Sequence, residues 1–223
     1  MVYMAKLILN YPTLILLYGF PGAGKTFLAR QLCEDIHAAH IQGDRIRAEL
    51  FEQPRYDKQE NEIVSHLMEY MAEEFLKSGI SVVYDMNASR ANQRRILRDL
   101  ARSAKAKSVL IWLQVDHESA LVRSSKRDHR KADDKYSLSM NDDSFQNIAG
   151  QMQNPVQTED YIVISGKHTY KTQRSAIVKK FYDLGLISRD TASTQVIKPG
   201  MVNLVPNPAA GRVDQTRRNV VIR

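Results

Sequence analysis

Short apolar runs rich in branched side chains alternate along this chain with stretches whose apolar positions recur every three or four residues. The runs suit strands buried on both faces, and the spaced stretches suit helices with one buried side. Thr13-Leu14-Ile15-Leu16-Leu17-Tyr18 is the first run. The spacing predicts a helix from Thr26 to Ala39, with Phe27, Leu28, Leu32, Cys33 and Ile36 on its inner side. A short strand over His40 to Gln42 leads to Gly43-Asp44-Arg45-Ile46-Arg47. A long helical region follows, with Ile63, Met68, Met71 and Leu76 spaced for burial and Gly79 terminating it. Ile80 to Asp85 is the third predicted strand, Asn92 to Ala104 a helix, and Ser108 to Val115 the fourth strand. Tyr161-Ile162-Val163-Ile164-Ser165 is the fifth, and a helix from about Thr172 to Leu184 closes the core. This order predicts an α/β fold, a parallel sheet with helices on both faces.

Two stretches break the rhythm. Residues 118 to 157 are polar and charged, with a helix beginning near Ser119, and Met140 and Met152 are expected to fill gaps between helices there. From about Ser188 to Arg223 the chain turns to Pro199-Gly200, Pro206-Asn207-Pro208 and Gly211 between short alternating segments. That tail carries six Lys or Arg against two Asp, and reads either as a β-hairpin or extended arm or as a partly disordered end. The expected organisation is one domain over residues 1–187 and an extension over 188–223.

Composition narrows the picture modestly. A chain of 223 residues, 43% hydrophobic and 26% charged, is ordinary for a globular α/β domain with a full core. The net charge of +7 favours anionic partners, whether nucleotides, nucleic acid or phosphorylated metabolites. Cys33 is the only cysteine, which excludes an internal disulfide framework and a cysteine-rich zinc site. The first apolar run has no cleavage pattern after it and no run reaches a membrane-spanning length, so a cytoplasmic protein without a membrane partner is expected. The single tryptophan, Trp112, falls inside a predicted strand and is expected in the core, leaving few aromatics as stacking platforms for single strands.

The chemistry concentrates in four segments. Gly19-Phe20-Pro21-Gly22-Ala23-Gly24-Lys25-Thr26 fit the pattern GxxxxGK[ST], between a predicted strand and a predicted helix. Glycines there let successive N–H groups turn inward around phosphate oxygens, and the helix start adds a positive dipole end. Lys25 supplies a cation for the β- and γ-phosphates, and the Thr26 hydroxyl can ligate Mg2+. These eight residues predict ATP as the bound cofactor, with magnesium.

Asp44 and Arg47 follow the second strand, at the sheet edge where open α/β folds bind ligands. A carboxylate there can take a proton from an attacking hydroxyl, and Arg47 can hold an anionic part of the acceptor. An ordinary helix start carries the same pair equally well. Asp85 and Asn87 end the third strand, Val82-Val83-Tyr84-Asp85-Met86-Asn87, from which Asp85 can reach magnesium. In Arg123-Ser124-Ser125-Lys126-Arg127 the two arginines are four apart, so on a helix both face one way and can stabilise a moving phosphoryl group.

Together these segments resemble the kinase domain of polynucleotide kinase and its relatives, a P-loop group that includes zeta-toxin-like, chloramphenicol phosphotransferase-like and AAA-type kinases. The resemblance covers about residues 13 to 185. It implies a three-layer P-loop NTPase fold, with a five-stranded parallel sheet in the order 2-3-1-4-5 and a helical lid over about 118–157. It further implies Asp44 as general base, Arg47 on the acceptor's phosphate, and Arg123 and Arg127 bracketing the transferring phosphate. Asp85 matches the group's strand-end acid. The implied activity is transfer of the γ-phosphate of Mg-ATP to a hydroxyl-bearing substrate. A nucleic-acid 5′-hydroxyl is the first expectation, and an aminosugar nucleotide or antibiotic the alternative. Part of the adenine pocket is expected at Gly166-Lys167-His168-Thr169. A nucleotide-dependent switch or assembly module is the reading from a different class.

Overall fold

β1 (Thr13–Tyr18) is buried at every position. It is the middle strand of a five-stranded sheet with β2 (Ala39–Gln42), β3 (Val82–Asn87), β4 (Lys107–Gln114) and β5 (Tyr161–Ser165) in the order β2-β3-β1-β4-β5. All four pairings are parallel, so every strand ends on the same edge. That is the order the motif resemblance implies. The computed structural model describes residues 6–188, so the expected C-terminal extension, Ser188 apart, lies outside the described residues.

Alternation along β1 sends Ile15 and Leu17 to one face and Leu14, Leu16 and Tyr18 to the other. On the first face they meet Leu28 and Leu32 of α1 (Lys25–Ile36) and Ile177 and Phe181 of α7 (Tyr170–Asp183). On the second they meet Val64 and Met68 of α3 (Lys58–Lys77) and Leu97 of α4 (Ala91–Ser103). Each such side chain, fully withdrawn from water, contributes roughly 1.5–3 kcal/mol. The result is a three-layer α/β sandwich. Among the described residues no helix is long and apolar enough to cross a membrane.

The expected long helical region is α3, and Gly43-Asp44-Arg45-Ile46-Arg47 before it lies in a separate helix, α2 (Gly43–Leu50), with non-helical chain between the two. The Asp57 side chain accepts the Glu60 N–H at 2.9 Å and so starts α3 afresh, while Gly79 at φ +82° ends it. Two expected core residues lie outside the core. Phe27 is 39% and Ile63 44% exposed, each on the flank of an apolar stripe whose centre is elsewhere. Strand β3 begins two residues later than expected and carries Asp85 and Asn87 within it.

Two further helices, α5 (His117–Ser125) and α6 (Asp142–Gly150), occupy the stretch expected as a lid. Met152 packs on the sheet-side cluster with Trp112 and Tyr161 rather than between these helices. Trp112 itself is half-buried at the margin of that cluster. The return from α6 to β5 is tied down by Arg94, the largest fully buried side chain among the described residues. Its guanidinium donates to Glu159 at 2.7 and 3.0 Å and to the carbonyls of Ala88 and Gln153 at 3.0 and 2.9 Å.

Candidate active site

The segment between β1 and α1 closes around its own backbone. The Asn87 carboxamide oxygen accepts the Gly19 N–H at 3.3 Å, so β3 anchors the start of the loop. Gly22 has φ +80°, and a Cβ on it would lie 2.4 Å from the Ala120 carbonyl oxygen, so only glycine lets α5 approach. Pro21 and Ala23 are buried, and Phe20 packs its ring against His117 and Phe145. Gly24 caps α1 in the left-handed region, which leaves the first N–H groups of the helix aimed at the sheet edge.

Lys25 folds back on this loop, donating to the carbonyls of Gly19 and Phe20 at 2.9 Å each. Burial pushes its ammonium down to about 8; Asp85 and Asp44 pull it up and Arg127 adds to the depression. The Thr26 hydroxyl donates to Asp85 Oδ1 at 3.3 Å, and His40 Nε2 lies 3.0 Å from Asp85 Oδ2. A hydroxyl and a carboxylate are hard oxygen donors from two elements, the chemistry magnesium prefers. Among the described residues no cluster of three or more His, Cys, Asp or Glu forms a cage.

Asp44 stands in the first turn of α2, and its Oδ2 accepts the Ser137 hydroxyl at 3.3 Å. Burial, then the neighbouring Asp85, raises its carboxyl above the ordinary carboxylate value; the Ser137 bond, Arg127 and Arg47 oppose the shift. Arg47 is buried and engaged. It donates to Glu60 at 3.1 Å and Asn61 at 2.6 Å, and its guanidinium lies over the Tyr56 ring at 4.6 Å. Glu60 in turn accepts the N–H groups of Arg55 and Tyr56, so this cluster fixes the connection between α2 and α3.

Arg123 and Arg127 do not share a helical face. The helix α5 ends at Ser125 and Lys126 caps it, so Arg127 lies beyond the helix. Arg123 donates to the Gly166 carbonyl at 3.2 Å, and Arg127 donates to Asp134 at 2.8 Å. Both still reach one place. A cavity of about 780 Å³ is lined by Gly22, Gly24, Lys25, Thr26, Asp44, Arg47, Asp85, Asn87, Arg123, Arg127 and Ser137. Gly19 and Phe20 instead line a second cavity, about 790 Å³, with Tyr18, Trp112 and Lys167.

Residues 14–146 match the AAA domain family. The chain belongs to that family. No curated protein matches the chain in sequence. Among solved structures, this AAA domain is similar to Chaetomium thermophilum Kti12 in complex with ADP-AlF3, at 17% identity and TM-score 0.62, over 78% of this chain and 99% of that one. It is also similar to a gluconokinase from Sinorhizobium meliloti, at 16% identity and TM-score 0.57, over 78% of this chain and 94% of that one. A sugar kinase from Janibacter shares 14% identity at TM-score 0.57, over 85% of this chain and 100% of that one. These likenesses are of fold.

Within the AAA domain the structure adds four residues to those expected, Ser137, His40, Tyr56 and Asn61. Of these, His40 alone carried a sequence signal, its position in the strand beside Asp85. The segment expected at the adenine touches the loop at Gly166, where a Cβ would lie 2.4 Å from the Ala23 carbonyl oxygen. Lys167 pairs with Asp116.

Proposed function

We propose that this AAA domain chain is a kinase that transfers the γ-phosphate of Mg-ATP to a hydroxyl, with α5, α6 and their connection acting as its lid. The observation that carries the reading is the single cavity in which Lys25, Thr26 and Asp85 face Asp44, with Arg123 and Arg127 on its rim. A loop that only binds nucleotide has no need of a partly desolvated carboxylate across from its lysine.

Each residue then has a task. The N–H groups of Gly22, Gly24, Lys25 and Thr26, which line the cavity, would bind phosphate oxygens, and Lys25 would exchange its two carbonyl partners for the β- and γ-phosphates. Thr26 and Asp85 would hold magnesium, which neutralises phosphate charge when bound. Asp44 would orient the acceptor hydroxyl and take its proton, and its raised pKa moves it toward the range where a carboxylate is an effective base. Arg123 and Arg127 would stabilise the phosphoryl group as it moves, and their bonds to Gly166 and Asp134 keep them oriented without reorganisation. The closing segment would exclude water that would otherwise hydrolyse ATP.

A nucleic-acid 5′-hydroxyl is the acceptor that the polynucleotide kinase resemblance supports. Arg47 donates to Glu60 and Asn61 and lies over the Tyr56 ring, but its buried Nε has no partner among the described residues and its side chain lines the cavity, which leaves a donor for an anionic part of the acceptor. A small molecule is the alternative acceptor.

The test is transfer from γ-labelled Mg-ATP to a panel of 5′-hydroxyl DNA and RNA, nucleosides, sugars, UDP-aminosugars and a metabolite extract. Asp44→Asn should slow transfer by about 10²–10⁴-fold while leaving ATP binding intact. An unaffected variant would remove Asp44 as the base. ATP binding with no label transferred, even in the extract, would replace the kinase reading with a nucleotide-dependent switch. Steep weakening of acceptor binding with salt would identify nucleic acid, through counterion release.

A further inference from the structure

The hydrogen bond between Ser137 and Asp44 has the form that the kinase reading assigns to an acceptor. A hydroxyl oxygen donates to the carboxylate at 3.3 Å, inside the cavity that also holds Lys25 and Thr26. Ser137 is 5% exposed, so the contact is largely shielded from bulk solvent. Nor is the contact that of a loose loop. The Ser137 N–H donates to the Asp134 carbonyl at 3.1 Å, and the Asp134 carboxylate receives Arg127. Asp133 pairs with Arg30 of α1, and the Met140 N–H donates to the Ser124 carbonyl at 3.1 Å. The segment is therefore pinned on both sides of Ser137, with its hydroxyl held on the proposed base.

We propose that Ser137 is a self-phosphorylation site, taking the γ-phosphate of bound ATP when no external acceptor has displaced it from Asp44. The inference rests on the kinase reading above. In the step, Ser137 Oγ attacks the γ-phosphorus and forms the ester bond. The bond from that phosphorus to the β–γ bridging oxygen breaks, ADP leaves, and the hydroxyl proton passes to Asp44. The product carries a dianionic phosphate beside Asp44 and near Asp85, where like-charge repulsion and lost space would close the acceptor position. The chain would thus silence itself when it holds ATP without an acceptor.

The experiment is incubation of the full chain with γ-labelled Mg-ATP and no acceptor, followed by peptide mass spectrometry. One phosphate should accumulate on Ser137, at a rate independent of protein concentration. Ser137→Ala should abolish the label, Ser137→Thr should restore it as phosphothreonine, and Asp44→Asn should slow it by about 10²–10⁴-fold. Circular dichroism of each variant separates lost transfer from lost fold. No label on Ser137 without acceptor, while a parallel incubation labels a member of the acceptor panel, overturns the inference and leaves the kinase reading standing. Label on Ser137 that is indifferent to Asp44→Asn, or that rises in rate with protein concentration, overturns the in-place geometry. Label appearing nowhere, on the chain or on any member of the panel, removes both.

Discussion

Replacing Arg94 with methionine should loosen the return from α6 to β5 more than any surface change could. Arg94 is wholly buried, and its partner Glu159 is 6% exposed. Removing one member of such a pair leaves an uncompensated buried charge, which costs about 3–5 kcal/mol. Two features adjust that figure in opposite directions. Arg98 still donates to Glu159 at 2.7 Å, which keeps the carboxylate partly paired. The carbonyls of Ala88 and Gln153 lose their donor, and buried acceptors without partners are themselves costly. The expected loss is about 3–5 kcal/mol in total. For a domain of this size that corresponds to a Tm lower by about 6–20 °C. Urea titration followed by far-ultraviolet circular dichroism measures it, read as a fall in midpoint at constant slope. The double change Arg94→Met with Glu159→Met should recover part of the loss, because no charge then remains buried. A loss below about 1 kcal/mol for the single change, or a double variant with strictly additive losses, would refute the reasoning.

Three other outcomes follow from the site. Burial pushes the Lys25 ammonium down to about 8, below the usual lysine range, so on the kinase reading kcat/KM should fall above about pH 8. Burial raises Asp44, so the acid limb should lie above the ordinary carboxylate range; an acid limb inside that range would count against Asp44, and a profile that stays level well above pH 8 against Lys25. Gly166→Ala puts a Cβ 2.4 Å from the Ala23 carbonyl oxygen and 2.5 Å from the Val115 side chain. Stability should fall by about 1–3 kcal/mol and ATP affinity with it, checked by denaturation and calorimetry. Glu60→Gln should weaken the anchoring of Arg47 and of the backbone at Arg55 and Tyr56, raising KM for the acceptor far more than KM for ATP.

The parts of the molecule legible in the sequence are those decided by neighbours along the chain. Strand β1 and the phosphate loop were readable because an unbroken apolar run meets a fixed glycine pattern, and β5 because Tyr161–Ser165 stands alone between polar stretches. What was not legible depends on residues far apart. The pairing of Arg47 with Glu60 needs a second helix to turn back, and nothing in Asp44-Arg45-Ile46-Arg47 announces it. The helical register of Arg123 and Arg127 failed because α5 stops at Ser125 without glycine or proline to mark the end. Phe27 was assigned inward on spacing alone, whereas it lines the 780 Å³ cavity, where an exposed ring has a use. Ser137 lies in a polar stretch where one hydroxyl looks like any other until the fold carries it to Asp44.

The half-buried indole of Trp112 makes the molecule its own fluorimeter. It is the only tryptophan in the chain, and in the sheet it is paired with Tyr18, the residue immediately before the phosphate loop. Its ring meets Tyr18 edge-on at 5.4 Å and faces the cavity that Gly19 and Phe20 also line. Any rearrangement of the loop that shifts Phe20 alters the polarity around one chromophore and no other of its kind. Emission from the unlabelled chain therefore offers a stopped-flow record of nucleotide arrival, with the signal attributable to a single position.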